Sequence, residues 1–236
     1  MSLVTLAIPF FLISVLVELA LDRWRGWGLY RLNDAIGSLS AGVLSRITGL
    51  VRTGLLLVIY IPLYQLLQPY YETVGFNWSL DNGWHLLLAV VAYDFCYYWK
   101  HRIAHEINIF WADHLVHHQS EDYNLTTALR QPSGGLPIGW IFYMPLLLIG
   151  LPAELLITAG AIDLIYQFWV HTQKFPKVRW MEWIFVTPQT TAYTTPRTRS
   201  MWTATTAVSL SSGTACSAAT RKNWKTSPAS TACASR

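Results

Sequence analysis

Apolar residues in this chain gather into long runs, and polar segments carrying turn signals separate one run from the next. The first run, residues 3–20, holds a single acid, Glu18, and is followed by Arg23 and Arg25. About 20 apolar residues cross a bilayer. No basic stretch precedes this run and no small-residue cleavage site follows it, so a membrane helix is expected rather than a secretory signal. The arginines mark its C-terminal end as cytoplasmic. Residues 22–49 are amphipathic, with Trp24, Trp27 and Tyr30 beside Arg23, Arg25 and Arg31. That mixture suits a membrane–water interface; a soluble connecting helix is the alternative.

A second span is expected over Gly49–Leu67, and a polar loop with a turn at Asp81-Asn82-Gly83 follows. The third span runs from Trp84 to Trp99 and ends in Lys100-His101-Arg102, again a cytoplasmic mark. Residues 119–135 are polar and broken at Pro132-Ser133-Gly134-Gly135. Residues 136–151 and 152–170 read as an apolar hairpin turning at Pro152, its first arm short enough to be kinked or re-entrant. The expected fold is all-α: a polytopic membrane helical bundle with a cytoplasmic, histidine-rich helical cap.

Composition agrees with the pattern. The chain is 53% apolar and 13% charged, against about 25% charged in a soluble domain. The net charge of +4 is misleading, because six of the seventeen Lys and Arg lie after residue 190 while every acid lies at or before Glu182. Residues 1–189 hold eleven basic and thirteen acidic residues, a net of −2. The basicity belongs to the tail, and a nucleic-acid partner is excluded. Cys96, Cys216 and Cys233 have neither zinc-ribbon nor C-x-x-C spacing. Cys96, inside an apolar run, is expected to be a small buried hydrophobe.

Chemistry concentrates in Tyr93–His118, YDFCYYWKHRIAHEINIFWADHLVHH, which holds five of the seven histidines. His101 and His105 are four residues apart and share a helical face. His114, His117 and His118 form an i, i+3, i+4 set on another. His171, in YQFWVHTQ, is a sixth candidate at the basic end of the last apolar arm. Neutral imidazole is the commonest protein metal ligand. Ligand type alone allows Zn, Fe, Cu or Ni. Six candidates exceed the four that close a typical zinc site, which suggests two metals. Asp94, two turns before His101, is an acid within a span and is expected to orient a ligand imidazole. His85 lies at the opposite end of that span and is expected to be interfacial.

HRIAH fits H-x3-H and HLVHH fits H-x2-H-H, and together they resemble the first two histidine boxes of the fatty acid hydroxylase/sterol desaturase superfamily. YDFCYYWKHR resembles the helix that leads into the first box, and RLNDAIGSLSAGVL and YQFWVHT resemble further segments of bacterial members. The resemblance covers residues 15–189. It implies an integral membrane di-iron oxidoreductase that uses dioxygen to hydroxylate or desaturate a lipid: a sterol, fatty acyl chain or ether lipid. It also implies two iron ions held by His101, His105, His114, His117, His118 and His171. Electrons would come from a separate partner of the cytochrome or ferredoxin/reductase type, and the location would be a bacterial inner membrane.

That family carries a third box, H-x2-H-H, soon after the segment matching WIFVTP, where this chain reads TPQTTAYTTPRTRS. From Thr190 on, 29 of 47 residues are Thr, Ser or Ala and none is acidic, a low-complexity composition. Moving the reading frame back one base makes Thr190–Thr195 compatible with HRVHH, the missing box. The same shift forces Val at Met201-Trp202 and Asp at Trp202-Thr203. Residues 1–189 are therefore expected to form one hydroxylase-like domain lacking its third box, and 190–236 an out-of-frame, disordered tail. The chain as written is expected to bind iron incompletely, at the expense of activity. A non-catalytic membrane metal-binding or transport protein is the alternative, although transport favours ligands at mid-membrane depth. A structural membrane protein with interfacial histidines is a third.

Overall fold

The computed structural model describes residues 3–74, 77–120, 122–132, 137–174, 181 and 185–188. The expected tail, with Cys216 and Cys233, lies outside them. Among the described residues every regular element is helical and no strand occurs. The elements are α1 (Leu3–Arg25), α2 (Leu32–Leu66), α3 (Gln68–Val74), α4 (Gly83–Glu106), α5 (Asn108–His118) and α6 (Leu125–Leu129). A 3₁₀ helix (Pro137–Tyr143), α7 (Met144–Leu148) and α8 (Ala153–Trp169) follow.

Among the described residues two helices are long and apolar enough to cross a membrane, α1 and α2. Few of their residues are buried, and Phe10, Leu16, Val43 and Val58 are among the large apolar side chains left facing outward. A core helix of a soluble protein would hide such a surface. The amphipathic segment and the second span, expected as separate units, form one 35-residue helix from Leu32, about 52 Å long. The third span is helical as expected, but Asp94, Tyr93, Tyr97 and Tyr98 interrupt its apolar run. Helix α8 has 17 residues and is about 25 Å long, short of the roughly 30 Å hydrocarbon layer.

Local chemistry sets the helix ends. Gly26, at a positive φ of 66°, terminates α1 in the left-handed conformation that glycine takes without strain. Asp22 closes that turn by accepting from Leu29 N–H at 2.8 Å. Helix α4 starts at Asn82, whose side chain accepts from Trp84 N–H. It ends at Ile107, where the backbone turns extended (φ −110°, ψ 122°), and α5 begins as a separate helix. The first arm of the hairpin is broken into the 3₁₀ helix and α7. Helix interruptions leave carbonyls without intrahelical donors, and aromatic donors satisfy three of them here. Tyr60 donates to Leu151 O and Tyr71 to Leu147 O, both at 2.6 Å, and Trp78 Nε1 donates to Ile149 O at 2.9 Å.

Two apolar clusters hold the helices together. One joins Tyr60 of α2, Ala89 and Cys96 of α4, Leu146 and Leu147 of α7, and Leu155 and Ala159 of α8. Cys96 is the small buried residue expected. The other joins Phe11 and Val15 of α1 to Leu125, Ala128 and Phe168, with the Phe11 and Phe168 rings stacked at 4.2 Å. The second cluster sits under α6 and the end of α8, and so fixes the base on which the histidines stand.

Candidate metal centre

His101 and His105 lie on the last turns of α4, and His114 and His118 lie one turn apart on α5. The break at Ile107 folds the two helices against each other, and the four rings converge. His101 Nε2 is 3.0 Å from His105 Nε2, and His114 Nε2 is 3.1 Å from His118 Nε2. One nitrogen from each of the four lies within 4.8 Å of all the others. Two imidazole nitrogens bound at right angles to one ion, each at ~2.1 Å, would stand about 3.0 Å apart. Trp111 packs against both His105 and His118 on the outer side.

His117, whose ring lies 5.2 Å from that of His118, stands between this group and His171, which follows α8. Their Nε2 atoms are 3.4 Å apart. His117 Nδ1 is 2.9 Å from Arg130 O, and His171 Nδ1 is 2.8 Å from Gln167 O. A main-chain carbonyl can only accept, so each Nδ1 carries the proton. Two neutral rings then direct lone pairs at each other. That arrangement is repulsive unless a cation lies between them or one ring is protonated.

Protonation is disfavoured throughout the cluster. Burial pushes His105 down to about 4 and His118 down to about 2, with neighbouring imidazoles adding to the effect. His171 falls to about 3 for the same reasons. His101 and His114 lie well below the ordinary histidine range, through burial first and the other histidines second, and burial also lowers His117. Buried neutral imidazoles with converging lone pairs are the donor set of a metal centre. The residues fit a bound cation.

All six histidines named from the sequence therefore come together, as a group of four and an adjoining pair. His85 does not join them; its Nδ1 accepts from Ser79 N–H at 2.9 Å at the far end of α4. Asp94 is buried on α4, but the group that meets His101 Nδ1 is the Tyr97 hydroxyl, at 3.2 Å. Sequence reasoning passed over Tyr97, Gln167 and Arg130. The first two each stand four residues before a candidate histidine, on the same helical face, and that spacing was a usable signal. Arg130 holds His117 through a main-chain oxygen, which leaves no trace in residue type. Its side chain also caps α5, donating from Nε to Val116 O at 2.8 Å.

The family described as fatty acid hydroxylase matches residues 86–193, a stretch containing all six histidines. Among curated proteins the chain is similar to the alkylglycerol monooxygenase of Homo sapiens, 42% identical over 184 residues, covering 77% of this chain and 40% of that protein. The alkylglycerol monooxygenase of Xenopus tropicalis is 39% identical over 183 residues, covering 77% of this chain and 39% of its own length. That of Caenorhabditis elegans is 29% identical over 167 residues, 67% of this chain and 30% of its own. The chain thus spans about two-fifths of the length of the vertebrate relatives it matches. No solved structure matches.

Proposed function

This chain belongs to the fatty acid hydroxylase family, and from that premise we propose that it is built as a membrane di-iron oxygenase acting on an ether lipid of the alkylglycerol type. The observation that carries the proposal is the pair of converging lone pairs at His117 and His171, beside a complete group of four imidazoles. In this reading His101, His105, His114 and His118 hold one iron, and His117 and His171 contribute to a second. Bound iron would supply the activation of dioxygen needed to attack an unactivated C–H bond. The protein's own part is to hold six neutral rings close together, with Trp111 packed against His105, His114 and His118.

The substrate class rests on the named activity of the relatives, which also favours hydroxylation over desaturation. The electrons are assigned to a separate donor of the cytochrome or ferredoxin/reductase type. The membrane topology is proposed to be multi-pass, in a bacterial inner membrane. Arg23, Arg25, Lys100, Arg102 and Lys174 cluster toward the histidine end, which supports a cytoplasmic side for the site. Asp94 is retained as a proposed supporting acid beneath it.

The second iron's remaining ligands are assigned to the third histidine box, which the chain as written lacks and with which a one-base shift after residue 189 is compatible. The test compares the chain as written with the frame-corrected chain, both purified in detergent. The corrected chain is expected to carry about two irons and to consume an alkylglycerol in the presence of dioxygen and a reductant. The chain as written is expected to carry fewer and to show no turnover. Full iron and turnover from the chain as written would sink the frame assignment. Absence of metal from both, with no effect of His117→Ala or His118→Ala, would leave a structural membrane protein.

A further inference from the structure

Helix α8 carries a buried acid, Asp163, among apolar neighbours. Such a residue is costly in this setting and is usually there for a reason. Asp163 Oδ2 accepts from Gln167 Nε2 at 2.7 Å, one turn further along α8. The amide is thereby turned, with Oε1 toward α4, where it accepts from the Tyr97 hydroxyl at 3.0 Å. With its proton committed to Gln167, the Tyr97 oxygen faces His101 Nδ1 at 3.2 Å as an acceptor. His101 must then carry its proton on Nδ1, which leaves Nε2 as the lone pair facing His105. With Asp163 ionised, each link has one direction, set by the carboxylate at its end.

Gln167 also acts through its main chain. Its carbonyl oxygen is the acceptor for His171 Nδ1. One residue therefore governs a ring in the group of four through its side chain, and a ring in the adjoining pair through its backbone. Tyr97 and Gln167 each stand one helical turn before the histidine they serve. Lys100 and Asp94 lie within electrostatic reach of Asp163, but neither enters the line of hydrogen bonds from Asp163 to His101.

We propose that Asp163, Gln167 and Tyr97 form a positioning relay that selects the Nδ1–H tautomer of His101, and that Gln167 does the same for His171, so both rings present Nε2 inward. The relay rests on the metal-centre reading for its purpose, and its existence can be tested without metal. The experiment uses the full chain in detergent micelles with ¹⁵N-labelled histidine, at a pH where the rings are neutral. In the metal-free wild type, His101 is expected to show the Nδ1–H tautomer. Tyr97→Phe, which keeps the ring and removes the acceptor, is expected to give a mixture of tautomers at His101 while His171 stays unchanged. Gln167→Leu is expected to do the same at His101 and also leave His171 in place, since its carbonyl remains. Asp163→Asn keeps an acceptor oxygen and is expected to preserve the wild-type state, whereas Asp163→Leu loses it. Tyr93→Phe removes a hydroxyl of the same helix that lies outside the relay and is expected to change nothing.

Titration with Co²⁺ alone completes the test. Tyr97→Phe and Gln167→Leu are expected to weaken binding by about 10-fold, the lower end of the range for lost supporting hydrogen bonds to a ligand histidine. An unchanged His101 tautomer in both variants would overturn the relay, even with Co²⁺ bound normally to the wild type. The expected tautomer changes in a wild type and variants that bind no Co²⁺ would support the relay and overturn the metal-centre reading instead.

Discussion

His117 and His171 each have Nδ1 committed to a main-chain carbonyl and Nε2 committed to the other ring. The backbone thus decides what these side chains can bind. Burial adds a consequence for pH. The folded chain resists protonation of His105 down to about 4 and of His118 down to about 2, whereas an unfolded histidine takes up a proton near 6.5. Below that value the unfolded state binds more protons, so metal-free stability is full above about pH 6.5 and falls as the pH drops toward the folded values. At pH 5 His105 alone should cost about 2 kcal/mol. Thermal unfolding in detergent at pH 8 and pH 5 checks this, and a melting temperature insensitive to that change would count against buried neutral rings. Five of the histidines were legible from their spacing, and His171 from its place at the basic end of the last apolar arm. What they hold on to was not, because Arg130 and Gln167 act through main-chain oxygens that every residue possesses.

At the level of elements, the sequence showed where surroundings change better than where helices end. Residues 22–49 and Gly49–Leu67 differ in composition, yet no proline or tight turn separates Leu32 from Gly49, and the helix runs through. The short α6 was hidden for the opposite reason. Its five residues carry no period long enough to read, and a capping box at Asn124 with Thr127 stabilises it instead. Helix α6 sits close against α2 because Gly42 has no side chain. A Cβ there would lie 2.6 Å from the main-chain oxygen of Leu129. Gly42→Ala must therefore push α6 outward, at about 1–3 kcal/mol, and carry the Arg130 carbonyl away from His117. We expect a lower melting temperature together with weaker Co²⁺ binding. A variant with wild-type values for both would show that α6 does not set the position of His117.

Across the whole molecule, α1 and α2 leave long apolar surfaces facing outward, while α4, α5, α6 and α8 pack together and carry the site. The apolar runs of α1 and α2 were visible in advance, whereas Trp84–Trp99, expected as a third span, is interrupted by Asp94 and three tyrosines. The hairpin's first arm was legible as short and open to a kink, and it is broken; the donors from Tyr71 and Trp78 at its end, far away in sequence, were not legible. Contacts of that kind have no local signature. They appear once the helices have chosen neighbours.

Glu18 joins the two halves. Its carboxylate, on the buried side of α1, accepts from the Tyr30 hydroxyl at 2.5 Å, from Leu125 N–H at 2.8 Å and from the Thr172 hydroxyl next to His171. In order of synthesis, the acid is made more than a hundred residues before two of its three partners. A growing chain therefore carries an acid in its first apolar helix whose set of partners is complete only once Thr172 has been added. An acid in an apolar membrane helix is costly until it is paired. A chain ended after residue 120 should be cleared faster than the same fragment bearing Glu18→Leu, as followed by pulse-chase. Equal lifetimes would mean that the completed fold, and not the waiting helix, is what the cell inspects.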